Sequence, residues 1–229
     1  MTGAAGGIGR AVVERIERDG WGVHGVDVED GDLRTRAGNR AVVDAATARF
    51  GRLDAVVANA GFQHVAPVEE FPEDRWDALL ALLLTSPFLL AKYAWAELQR
   101  HGDGRFVAVA SVHGLVASPF KAGYVAAKHG LLGLVKTLAL EGATRGITAT
   151  AVCPAFVRTP LVESQVAAQA QLHGLPDDRV LEDVILAPHA VKRLIEPEEV
   201  AETVAFLLGP GGRAFTGVAV TMDLGWSAR

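Results

Sequence analysis

The chain has 229 residues, half of them hydrophobic and 21% charged, enough apolar content for a large core and too much for wholesale disorder. Its net charge of −5, without a basic block, excludes a nucleic-acid footprint. The longest apolar run, Ala78 to Ala91, is interrupted by Thr85, Ser86 and Pro87, so no membrane span is expected; with no leader pattern at Met1 and one cysteine, Cys153, a cytoplasmic protein is expected.

The elements alternate in chain order. Gly7 to Asp19 is predicted helical, with Ile8, Val12 and Ile16 on one face, and Gly22 to Val26 a short strand ending at Asp27. Leu33 to Phe50 reads as a helix, Asp54 to Ala58 as a buried strand, and Pro72 to Gln99 as a long helix. Arg105 to Ala110 has the apolar character of a strand inside a parallel sheet, and Gly123 to Arg145 that of a buried helix. Ile147 to Cys153 is a further strand, Pro154 to Glu196 a polar irregular stretch, Pro197 to Leu208 a helix opened by proline, and Val218 to Val220 a last strand. This alternation predicts an α/β fold, a doubly wound parallel sheet of Rossmann type, in one domain spanning 1–229.

Two constellations carry chemistry. Thr2-Gly3-Ala4-Ala5-Gly6-Gly7-Ile8-Gly9 is a glycine-rich turn running into a helix, whose free N–H groups suit a pyrophosphate. Asp27, 18 residues past Gly9 at a strand end, suits the adenosine ribose hydroxyls and repels a 2′-phosphate, which favours NAD over NADP. In the second, Ser111 follows an apolar strand, Tyr124 comes 13 residues later and Lys128 four after that. Tyr124 and Lys128 share a helix face, and a neighbouring ammonium is expected to lower the phenol pKa from its ordinary ~10, so that Tyr124 can exchange a proton while a hydride moves.

Together with Asn59-Ala60-Gly61 and Val157-Arg158-Thr159-Pro160, these motifs resemble the short-chain dehydrogenase/reductase family over essentially the whole chain. Within it, Gly61-Phe62-Gln63-His64, Ser111 to Ser118 and Thr159 to Glu163 are similar to the bacterial 3-hydroxybutyrate dehydrogenase branch. The resemblance implies Ser111, Tyr124 and Lys128 as catalytic residues. It implies NAD as cofactor, held by Thr2, Gly3, Gly7, Ile8, Gly9, Asp27, Asp32, Leu33, Asn59, Gly61, Tyr124, Lys128 and Thr159. It implies Gln63, His113, Lys121 and Gln165 as a carboxylate grip beside Ser111 and Tyr124, a hydroxy or keto acid as substrate, and a homotetramer as assembly. No metal site is expected: His64, His129 and His189 lack ligand spacing. A short-chain alcohol dehydrogenase, a 3-oxoacyl reductase or a catalytically impaired NAD-binding protein are the alternatives.

Three departures accompany the resemblance. Only Met1 and Thr2 precede the glycine turn, so the first strand, central in this family, is expected to be missing. Only Val28 to Gly31 separate Asp27 from Asp32, so the sheet edge behind the adenine wall is expected to be shortened. Leu83 stands where the family places an asparagine on its long helix.

Overall fold

In a computed structural model, the described residues are 1–163, 166, 170 and 174–228, with the side chains of 177 and 178 excepted. Four parallel strands form the sheet: β1 (Ala55–Ala58), β2 (Gly104–Val109), β3 (Ile147–Pro154) and β4 (Ala219–Met222), paired in that order. Strand β2 is buried along its whole length, as expected of a strand covered on both faces. One face carries α1 (Gly7–Arg18) and α6 (Pro197–Leu208), packing Val12, Ile16, Val200 and Val204 onto Val57, Val107 and Val152. The other carries α2 (Arg36–Phe50), α4 (Ser86–Gln99) and α5 (Ala122–Gly142) against Phe106, Ala108 and Ala149. The carboxyl ends of β1, β2 and β3 run into Asn59, Ser111 and Thr159, which brings those loops to one edge of the sheet.

Helix boundaries follow local chemistry. α2 starts at Arg36 instead of Leu33 because Thr35 caps it, its hydroxyl accepting from Gly38 N–H at 3.0 Å. The helix predicted over Pro72 to Gln99 is continuous but not uniform: α3 (Glu73–Leu80) widens into a π turn at Ala81–Thr85 before α4. Pro87 supplies the reason: it lacks an N–H, and its ring would clash with the Leu83 carbonyl four residues earlier in a regular α turn. By length and composition the run Glu73–Gln99, at 27 residues, could cross a bilayer, which the interrupted apolar pattern had not indicated. In the fold it is a core helix, with Leu79, Leu89, Leu90, Ala94 and Leu98 buried. The stretch predicted as irregular, Pro154 to Glu196, holds an apolar cluster of its own built on Phe156, Val162, Val180, Ile185 and Leu194, including a helical turn at Asp177–Val180.

The first strand was expected to be missing, and at its place Met1 and Thr2 make only an isolated pairing. Thr2 makes a parallel bridge to Val26, Val26 N–H donates to Met1 O at 2.9 Å, and Thr2 N–H donates to Val57 O at 3.1 Å. Met1 and Thr2 thus sit between Val26 and β1. Residues 22–25, predicted as strand, are not strand, because a strand needs a ladder partner and among the described residues none pairs with them. Where that ladder would continue lies a cavity of about 300 Å³, walled by Ile16, Trp21, Val23, Val42, Val43, Phe50 and Leu90. By strand alternation both backbone groups of Ala55 and the N–H of Val57 face it, and no backbone bond to them is formed among the described residues. Four or five apolar residues joined ahead of Met1 are therefore expected to fill the slot and raise the melting temperature by about 5 °C or more. Calorimetric melts would check this; a Gly/Ser extension of equal length that stabilises equally would refute a seated strand.

Candidate active site

α5 aligns the central side chains. Lys121 sits at its N-cap, Tyr124 three residues on and Lys128 four further, a spacing that keeps all three on one helix face. Ahead of Lys121, Phe120 has φ of 65°, a conformation uncommon for a bulky residue, and this turn carries Lys121 inward until it is 1% exposed. Ser111, extended at the end of β2, has a hydroxyl that accepts from His113 N–H at 3.1 Å and lies 3.4 Å from both His113 Nδ1 and the Pro154 carbonyl.

A cavity of about 990 Å³ collects these groups. Ser111, Tyr124, Lys128, His113, Lys121 and Gln63 border it, and so do Gly3, Gly7, Ile8, Gly9, Asp27, Asp32, Leu33, Asn59, Gly61 and Thr159. Thr2 lies behind the wall, buried, its hydroxyl accepting from Asn59 N–H at 3.0 Å and Ala60 N–H at 3.1 Å. Gln165 lies outside the described residues. Among the described residues no group of three or more His, Cys, Asp or Glu side chains is placed to hold a metal ion.

Electrostatics at the site is dominated by burial. Removal from water pushes the Tyr124 phenol up to about 12, although a hydrogen bond with Ser111 works the other way. The expected lowering of the phenol by Lys128 is therefore not found: Lys128 is itself driven down to about 8 by burial, its Nζ donating to the Val109 carbonyl at 2.8 Å. Burial lowers Lys121 to about 8 as well, with its Nζ 4.8 Å from the Phe156 ring centroid. His113 is held down to about 3 by burial and the neighbouring Lys121, so it is neutral and hydrogen-bonds Ser118 through Nε2 at 2.9 Å.

These lysines have a consequence for stability. The unfolded chain holds their protons up to about pH 10.5 and the folded chain only to about 8, so folding releases protons between those values and stability rises with pH there. Chemical denaturation of the ligand-free protein is expected to give a midpoint that climbs from pH 8 to 10, less steeply in Lys121→Met. A midpoint flat over that range in the parent would contradict buried, depressed ammoniums.

The glycine turn is shaped by packing. Gly3 has φ of +64°, and a Cβ on Gly9 would lie 1.8 Å from the Gly3 carbonyl oxygen, so neither position takes a side chain. A Cβ on Gly7 would strike the Thr159 methyl at 2.7 Å, which ties the start of α1 to the Thr159 loop. Gly6 leaves the cavity side open, with no atom nearer than 3.7 Å to a Cβ there, and α1 begins with no side chain capping its first N–H groups. The Asp27 carboxylate accepts from Ala5 N–H at 3.0 Å and Val28 N–H at 2.8 Å, bracing the same turn. Asp32 pairs with Arg34 at 2.9 Å, which lowers the Asp32 pKa.

Leu82 was not singled out by sequence, and Leu83 only as standing in the family's asparagine position. Leu82 and Leu83 border the cavity from the π turn, and Leu83, 1% exposed, packs with Leu79 and Ala127 and against Tyr124. Phe156 borders the cavity and stacks on Trp226 at 5.8 Å, with His113 edge-on to both. No periodicity marks that cluster; it is assembled from three separated segments.

A parallel doubly wound sheet with a Ser, a Tyr and a Lys gathered beside a glycine-rich helix start defines an oxidoreductase. Residues 24–227 match the family model described as enoyl-(acyl carrier protein) reductase. The chain is 37% identical over its full length to a D-beta-hydroxybutyrate dehydrogenase of Rhizobium meliloti, covering 98% of that protein. It is 40% identical over 96% of its length to one from Cupriavidus necator, covering 84% of it, and 38% identical to the uncharacterized oxidoreductase YxjF of Bacillus subtilis, covering all of this chain and 97% of that protein. In fold it is similar to an aldohexose dehydrogenase of Thermoplasma acidophilum, with a TM-score of 0.87 at 28% identity over 100% of this chain and 92% of the other. A short chain dehydrogenase family protein from Francisella tularensis gives a TM-score of 0.88 at 23% identity, covering 100% and 97%. The chain belongs to the short-chain dehydrogenase/reductase family.

Proposed function

We propose that the protein interconverts (R)-3-hydroxybutyrate and acetoacetate with NAD. The observation that carries this reading is Lys121, a buried cation bordering the same cavity as Ser111 and Tyr124. A hydroxy acid brings a carboxylate that can hydrogen-bond such a cation, whereas a thioester brings none. Gln63 and His113 border the cavity too and complete the grip with Lys121 and, from its place in the sequence, Gln165.

The open side at Gly6, the uncapped start of α1 and the rim of Asp27, Asp32 and Leu33 fit a dinucleotide, with a carboxylate at Asp27 favouring NAD. NAD, when bound, supplies the hydride acceptor and donor. In the reductive direction the protonated Tyr124 phenol gives its proton to the substrate oxygen, and the Ser111 hydroxyl hydrogen-bonds that oxygen. In the oxidative direction Tyr124 must first lose its proton, and the Lys128 side chain one helical turn away favours that loss in its ammonium form. Leu83 offers no amide to hold a water on the outward proton path, so we propose a slow enzyme. Phe88 on α4 and Leu140 on α5 are exposed apolar residues and support the homotetramer read from the resemblance.

The test is turnover of purified protein with NAD or NADP on 3-hydroxybutyrate, its methyl ester and a 3-hydroxybutyryl thioester. The expected result is NAD-linked oxidation of the free acid. Preference for the thioester would place the chain among acyl reductases, and NADH binding without turnover would make it an impaired binder.

A further inference from the structure

The rim that includes Asp32 and Leu33 is held from beneath by one side chain that the proposed reaction does not use. Asn39, in the first turn of α2, is fully buried. Its Nδ2 donates to the Leu33 carbonyl at 2.6 Å and to the Thr35 carbonyl at 2.7 Å. Its Oδ1 accepts from the Ser86 hydroxyl at 2.6 Å. Both donor hydrogens and the acceptor of the amide are thereby used in a dry environment, where each lost partner leaves an expensive vacancy.

The three bonds reach two walls of the same cavity. Asp32, Leu33 and Arg34 border it on one side; Ser86 directly follows the π turn whose Leu82 and Leu83 border it on another. The rim has little freedom of its own once fastened: Thr35 Oγ1 donates to the Asp32 carbonyl at 2.8 Å, and a Cβ on Gly38 would lie 2.2 Å from that carbonyl oxygen. Only a glycine at 38 lets the rim fold this closely onto α2, and Asn39 then fixes it to α4. A helix-interior asparagine is a poor helix former, and a bare amide would not be buried without such partners.

We infer that Asn39 is a positioning residue for the dinucleotide pocket. Through the Leu33 carbonyl and Ser86 it sets the spacing between the Asp32–Leu33 rim and the Leu82–Leu83 wall, and so the affinity for the adenosine half of the cofactor. This rests on the NAD reading above.

Calorimetric titration of the parent, Asn39→Asp, Ser86→Ala and Ser86→Thr with AMP and with NADH tests it, beside steady-state kinetics. Asn39→Asp keeps the size and the acceptor for Ser86 but turns an acceptor toward two carbonyls. It is expected to weaken AMP and NADH alike by about tenfold. KM for NAD should rise by the same factor while kcat at saturating NAD changes less than twofold. Ser86→Ala should weaken both ligands in the same direction by a smaller factor, and Ser86→Thr, which keeps the hydroxyl, should bind as the parent does. Should Asn39→Asp fail to fold, the Ser86 pair alone decides. Lowered melting temperature with parental AMP and NADH affinity in the variants would mean a purely structural amide and overturn the inference. A parent that binds neither ligand overturns the NAD reading and this inference with it, whereas a parent that binds both beside unaffected variants sinks the inference alone.

Discussion

Tyr124→Phe is expected to lower kcat by about 10²–10⁴-fold in both directions, while NADH binding stays within a few-fold of the parent. Among the described residues the phenol is the one hydroxyl in the cavity that combines contact with Ser111 and a position one helical turn from Lys128. Removing its oxygen removes the proton donor and leaves the ring, so the packing with Leu79, Leu83 and Ala127 persists. A loss confined to kcat, read by single-turnover hydride transfer, is the signature of a missing acid rather than a damaged pocket. A variant within threefold of the parent would mean that the proton comes from elsewhere.

Lys121→Ala is expected to raise KM for 3-hydroxybutyrate by about 10- to 150-fold, the equivalent of roughly 1.5–3 kcal/mol for a charged hydrogen bond out of water. Binding of NAD should change far less, and turnover of a neutral ester should fall little or improve. The contrast between acid and ester separates a carboxylate grip from general damage, since a collapsed site would lose both. Unchanged kcat/KM for the acid would remove the ground for the substrate assignment.

Much of the architecture was legible because apolar runs and glycine turns are local signals. The strands at Ala55, Gly104, Ile147 and Ala219 fall within a residue or so of where their apolar runs place them. Within the predicted strand 22–26 only Val26 is paired, since a ladder requires a second chain segment and sequence periodicity does not count partners. The π turn was not legible as such: Pro87 gave a reason for a break, yet whether the helix stops, kinks or widens depends on what the neighbouring carbonyls meet. The glycine turn, Ser111, Tyr124 and Lys128 came from spacing and resemblance, and the fold brings them together. The phenol pKa did not follow from spacing. The helical spacing puts Lys128 beside Tyr124, but the depth of burial, which outweighs that charge here, is set by the whole fold.

The two buried ammoniums also tie ligand capture to solvent acidity. Above about pH 8 burial leaves Lys121 and Lys128 largely unprotonated, although the chain as a whole carries a net −5. A carboxylate settling against Lys121 restores the charged form, and the proton needed comes from the buffer. On the proposed reading, anion uptake would be accompanied by proton uptake, with affinity declining as the medium turns alkaline, while alcohol oxidation calls for a deprotonated phenol. The proposed reaction would run between these opposed demands, with retention of an acid substrate on one flank of the pH scale and its oxidation on the other.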